Sequence, residues 1–205
     1  MWQQFDQFSN EVPKLLALTP THPHEGYARD EFLRFVTIAG TLRTSFPVPI
    51  GASDERAISH VLIRSLLESF FWVRYIFESQ NLVDRQTRFQ RQLDEFQRQY
   101  AKMHNDPHLP YKNQIPAPQP NWINHPTAPD AASILRMQKN ITGQRLDSLY
   151  FTYGVSSFDT HGRAAPELFA QSFGQANPQF HFLQIEPAIE TAADMYIAIW
   201  NGGNF

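Results

Sequence analysis

His60, Arg64 and Glu68 stand at four-residue intervals in a run that is otherwise apolar on nearly every side. At 3.6 residues per turn that spacing sets them in one stripe along a helix, and Arg56 at the preceding step extends the stripe toward the helix start. A buried guanidinium needs partners for its five donors, and a buried carboxylate needs donors or an opposite charge. These side chains must therefore meet each other, a neighbouring helix or a ligand. Two readings stand: a structural ion pair, or a stripe that meets a ligand, with Arg56 giving it an anion-binding edge. A second polar cluster, Tyr150, Tyr153, Ser156, Ser157, Asp159, His161 and Arg163, lies far along the chain. Histidine can give or take a proton near neutral pH, and Arg163 is close enough in sequence to hold a phosphate. The plainer reading is a terminal His and Arg that satisfy the last carbonyls of a helix.

The elements that must position these residues are helical. Trp2, Phe5, Phe8, Val12 and Leu15 recur every three or four residues, with Pro13 dividing the stretch. Phe32, Phe35, Val36, Ala39, Leu42 and Phe46 form a second stripe, ended by Pro47, Pro49 and Gly51. Ser53 can cap the next helix, which is apolar around most of its circumference to about Ser79 and is expected to be the central one. Asn81 can cap a fourth helix whose seam of Leu82, Gln86, Phe89, Leu93, Phe96, Tyr100 and Met103 packs on the preceding helix or forms a homodimer through residues 82–103. Asp84 with Arg88 and Asp94 with Arg98 are expected to pair along its solvated faces. Seven prolines, from Pro107 to Pro129, break residues 104–130 into a packed strap or a mobile segment that holds a protein partner. Shorter helices follow near 131–140 and 144–153, a further turn near 155–162, a short extended segment at 179–185, and a last helix at about 187–200. The fold class read from this is all-α: a single helical domain, residues 1–205, with a proline-rich excursion at about 104–130.

Composition narrows the chemistry. The 205 residues include 17 Phe, 7 Tyr and 4 Trp, enough for a real core, and a net charge of −3 that gives no overall footprint for nucleic acid. Of the basic residues four are lysines and 13 are arginines, the side chain suited to fixed contacts. The absence of cysteine removes disulfides, thiolate metal sites and thiol nucleophiles. The start, Met1-Trp2-Gln3-Gln4-Phe5, lacks the basic and apolar regions of a signal peptide, and Arg64, Glu68 and Arg74 interrupt the most apolar stretch. The expectation is a cytoplasmic protein with no membrane span. His22, His24, His104, His108 and His125 form no metal-ligand pattern, and Pro107 prevents a one-turn pair at His104 and His108, so no metal or cofactor is expected. P-loop, dinucleotide and serine-elbow motifs are absent from the sequence.

Arg64-Ser65-Leu66-Leu67-Glu68 on a long apolar helix, followed by Tyr150-Phe151-Thr152-Tyr153-Gly154-Val155-Ser156-Ser157-Phe158-Asp159-Thr160-His161, resembles a group of bacterial helical proteins similar to the HEPN superfamily. The resemblance spans about residues 52–165. It implies a helical bundle, commonly dimeric, and a metal-independent ribonuclease of a toxin or antiviral defence system, or an inactive relative that binds RNA. The usual motif is an arginine shortly before a histidine; His161 matches the histidine, while Val155, Ser156 and Ser157 stand where the arginine belongs. The roles implied are catalytic for His161, Arg64 and Glu68, with substrate contacts from His60, Arg163, Tyr153 and Ser157. Two other classes stay open: a non-enzymatic dimeric interaction module, and a small-molecule-binding helical bundle.

Overall fold

The structure, a computed structural model, describes residues 2–45, 53–138, 146–160, 168, 171–174 and 185–202. Among these residues the regular elements are all helical. They are α1 (Gln3–Ser9), α2 (Val12–Ala17), α3 (Pro23–Ser45), α4 (Ser53–Phe77), α5 (Leu82–His104), α6 (Ala131–Met137), α7 (Asp147–Thr160) and α8 (Ile185–Asn201), with 3-10 turns at Lys112–Gln114 and Trp122–Asn124. The all-α expectation holds. The extended segment expected at 179–185 lies almost wholly outside the described residues, as do the Pro47–Gly51 stop signals. No helix among the described residues is long and apolar enough to cross a membrane.

Local signals explain most boundaries. Pro13 sits in the first turn of α2, where its missing N–H costs nothing, and so separates α2 from α1. The Asn81 side chain accepts from the Val83 N–H at 2.8 Å and starts α5, and Asp130 accepts from the Ser133 N–H at 2.7 Å and starts α6. One boundary differs from the sequence reading: α7 runs through Gly154 to Thr160 as a single helix instead of stopping near Tyr153. Gly154 costs about 1 kcal/mol relative to alanine inside a helix, and contacts of α7 with the central helix outweigh that.

α4 is central, packed against α3, α5, α6, α7 and α8, while α1 lies on α8. Ile63, Leu66, Leu67, Phe70, Phe71 and Ile76 are all sealed from solvent. The core gathers around Tyr196 of α8, whose ring meets Phe32 at 4.7 Å, Phe35 at 4.9 Å, Phe70 at 5.3 Å and Phe8 at 5.6 Å. Each such pair adds about 0.5–1.5 kcal/mol beyond area burial.

The proline-rich excursion is a packed strap. Tyr100 donates to the Pro116 carbonyl at 2.6 Å, Trp122 meets the Tyr100 ring edge-on at 6.1 Å, and the Ala128 N–H donates to Glu95 at 3.0 Å. All of these anchors are on α5. The expected seam of α5 is only half covered: Phe89 and Leu93 are partly buried, but Phe96, Met103 and Leu82 are exposed, while Arg85 and Ala101 are buried. The expected i,i+4 pairs do not form. Arg88 turns to the Tyr75 carbonyl at 2.6 Å and to Glu78, and Arg98 closes on Glu95 at 2.7 Å, because these partners lie on the side facing α4 and the strap.

The Tyr196 hydroxyl is buried with no hydrogen-bond partner among the described residues. Removing it in Tyr196→Phe should therefore leave stability unchanged or raise it by about 1 kcal/mol, whereas Phe32→Ala should cost about 3–5 kcal/mol. Urea denaturation of the two variants measures both; a large loss for Tyr196→Phe would mean that the hydroxyl is satisfied.

Candidate functional site

The polar stripe of α4 faces α7, and it does so because α7 carries its own stripe at helical spacing. Leu149, Thr152, Ser156 and Asp159 are its buried positions, with Tyr153 and Ser157 beside them. The seam between the two helices joins residues about a hundred positions apart. At its deep end one carboxylate takes two partners: Asp159 Oδ1 accepts from Arg56 Nη2 at 3.1 Å and Asp159 Oδ2 lies 2.6 Å from His60 Nδ1. All three side chains are at least nine-tenths buried.

Burial lowers the pKa of His60 below the usual histidine value, and the nearby Arg56 charge adds to this against the opposing pull of Asp159. The imidazole is therefore neutral at pH 7. Its Nδ1–H donates to Asp159, which leaves the lone pair on Nε2, the arrangement that makes a histidine a proton acceptor.

One turn on, the seam changes character. Arg64 Nη1 donates to Ser157 Oγ and Nη2 donates to the Tyr153 hydroxyl at 2.7 Å, while the guanidinium lies 3.7 Å from the centre of the Tyr153 ring. Ser157 in turn donates to the Tyr153 carbonyl at 2.8 Å, so its hydroxyl is used in both directions. Burial, then the Glu68 charge, raises the Tyr153 pKa and keeps the phenol protonated. Arg64 Nε is buried without a partner among the described residues. Glu68 approaches Arg64 at 3.6 Å with its side chain 55% exposed, against 17% for Arg64. The seam thus runs from a sealed Arg56–Asp159–His60 clamp to a solvent-facing Arg64–Glu68 end. There it borders a cavity of about 550 Å³ between α4, α5, α7 and the strap, to which Glu68 and Tyr153 both contribute.

The structure brings together His60, Arg64, Glu68, Tyr153 and Ser157 of the residues singled out by sequence. His161 and Arg163 lie outside the described residues. His60 does not stand beside Arg64 as a surface contact; it is buried in the clamp. Asp159, the hub of the clamp, received no role from sequence, although it shares a helical face with Ser156. Arg56 was signalled by the four-residue step. No group of three or more His, Asp or Glu side chains among the described residues could hold a metal ion. No protein-family model matches the chain, nor does any curated protein or solved structure.

Two outcomes follow for stability. Asp159→Asn removes the charge from a buried ion pair and should cost about 3 kcal/mol or more in urea, well above Ser157→Ala, which loses neutral side-chain contacts and about 1 kcal/mol. The second concerns acid. His60 and His24, whose two ring nitrogens are buried without partners among the described residues, both have pKa values lowered first by burial. Below a pH of about 6.5 the unfolded chain binds protons that the folded chain refuses, so stability should fall as pH drops from about 7 and level off once the lowered folded values are passed. His24→Phe should remove part of that fall and leave the His60 share. A urea midpoint that stays flat between about pH 7 and pH 5 would contradict both assignments.

Proposed function

We propose that this chain is a HEPN-like helical protein of a bacterial defence or toxin-type system that handles RNA phosphodiesters without a metal. The reading rests on the sequence resemblance around Arg64–Glu68 and Tyr150–His161. What supports it in the fold is one observation: Arg64 of α4 is bonded to Ser157 of α7 while Asp159, two residues before His161 in sequence, is clamped to Arg56 and His60. An arginine is thereby joined to the helix that leads directly into the histidine. In this reading Arg64 and His161, drawn from distant parts of the sequence, take the roles that the usual motif draws from one short segment.

In this reading Arg64 holds a phosphate oxygen and stabilises the charge that grows on it, and Glu68 limits the directions the guanidinium can take. His161 takes the proton of a ribose 2′-hydroxyl; the oxygen bonds to phosphorus, the bond to the 5′ oxygen breaks, and that oxygen receives a proton. The products are a 2′,3′-cyclic phosphate and a free 5′-hydroxyl. In an inactive relative the same groups bind RNA without this step. Tyr153 and Ser157 position Arg64, and the clamp fixes the end of α7.

The test is incubation of purified protein with end-labelled single-stranded RNA in excess chelator, with RNA binding followed in parallel by anisotropy. Cleavage to cyclic phosphate ends is expected, lowered about 100-fold or more in Arg64→Ala and His161→Ala proteins that keep the wild-type melting temperature. Binding without cleavage that is lost in Arg64→Ala supports the inactive form. Neither cleavage nor binding, or folded variants with full activity, overturns the proposal.

A further inference from the structure

The cavity beside the seam shares Glu68 and Tyr153 with the phosphate reading, but the rest of its lining has no part in that reading. Its walls are aromatic: Phe71 and Trp72 from α4, Phe96 from α5 and Tyr153 from α7. Among the described residues its charges are unbalanced, with Glu68, Glu95 and Asp130 against Arg98. Arg98 is spent on Glu95, which it meets with Nε at 3.2 Å and Nη2 at 2.7 Å. Glu95 also accepts from Gln99 and from the Ala128 N–H, and these bonds hold its carboxyl ionised, below the usual range, although burial opposes them. Asp130 stays ionised through its bonds to Ser133 at the start of α6.

Glu68 is different. Its cationic neighbour among the described residues, Arg64, stands at 3.6 Å, longer than a charge-assisted hydrogen bond, and more than half of its side chain is open. Phe96, which also lines the cavity, is 62% exposed and stacks on Tyr100 at 6.3 Å. A volume of about 550 Å³ falls in the range that holds small ligands.

We infer that this cavity is a binding site for a flat organic cation. Aromatic rings such as those of Trp72 and Phe96 attract a delocalised positive charge, and Glu68 and Asp130 supply the counter-charge. An anionic ligand would meet three carboxylates with no uncommitted cation among the described residues that line the cavity. A purely apolar ligand would leave the Glu68 side desolvated for no return. The strap residues Thr127–Pro129 form one wall, tied in place by the bond from Ala128 to Glu95, so the site is assembled before the ligand arrives.

The experiment is a fluorescence titration of full-length protein, freed of nucleic acid, with the cationic dye proflavine, and with acridine as a flat neutral control at mildly alkaline pH. Saturable binding of one proflavine per chain is expected, at least roughly tenfold tighter than acridine. Glu68→Gln and Phe96→Ala, the second at an exposed position where folding is not at stake, should each weaken proflavine about fivefold with an unchanged melting temperature. Three results would overturn the inference: no saturable proflavine binding, acridine binding as tightly as proflavine, or wild-type affinity in both variants. RNA turnover is not read in any arm, so the outcome is independent of the phosphodiester reading.

Discussion

One carboxylate taken out of water constrains the α4–α7 seam. Stripping Asp159 of its hydration costs several kcal/mol, and that cost is met only where Arg56 and His60 both reach it. Sliding α7 by one turn along α4 would leave the carboxylate and the guanidinium apart in an apolar interior. The clamp therefore sets the register of the two helices, and the contacts of Arg64 with Ser157 and Tyr153 follow from that register. A core of leucines and phenylalanines alone tolerates small slips; a paired buried charge does not.

The excess of arginine over lysine has a structural counterpart. Arg64 lies on the ring of Tyr153, Arg88 at 4.9 Å over Tyr75, Arg85 at 5.8 Å over Phe77 and Arg43 at 5.5 Å over Trp2. In each case a planar guanidinium lies over an aromatic ring and its N–H groups also reach an oxygen acceptor: Tyr153 for Arg64, Tyr75 for Arg88, Gln80 for Arg85 and Asp6 for Arg43. A lysine ammonium, compact and strongly hydrated, cannot do both. The aromatic content and the arginine content of this chain are thus one packing solution.

How much of this was legible in the sequence depends on distance along the chain. The helices of the described residues were readable from periodicity and from Pro13 and Asn81, because capping and proline effects act within a few residues. The stripe of His60, Arg64 and Glu68 was readable for the same reason: a four-residue spacing keeps its face on any helix. Its partners were not, because nothing local to Asp159 reports that Arg56, 103 positions earlier, will face it. The seam of α5 misled because a heptad count registers apolar residues but not which side a buried arginine such as Arg85 will claim. The division of α7 into a helix near 144–153 and a turn near 155–162 misled because local signals say nothing of the interface that carries the helix through Gly154. The prolines of the strap foretold extended chain, yet the fastenings to Glu95 and Tyr100 involve side chains whose partners are backbone groups, and these leave no compositional trace.

The start of α1 has no capping side chain of its own; its Gln4 and Phe5 N–H groups donate instead to Glu190 of α8, at 2.9 and 3.1 Å. A negative charge at the positive end of a helix is thereby supplied from nearly the far end of the chain. α1 therefore cannot be completed until α8 has been made: before residue 190 joins the growing chain its N–H groups lack their acceptor, before residue 196 joins it Phe8 lacks Tyr196, and an aromatic face stays open through the synthesis of every helix between them.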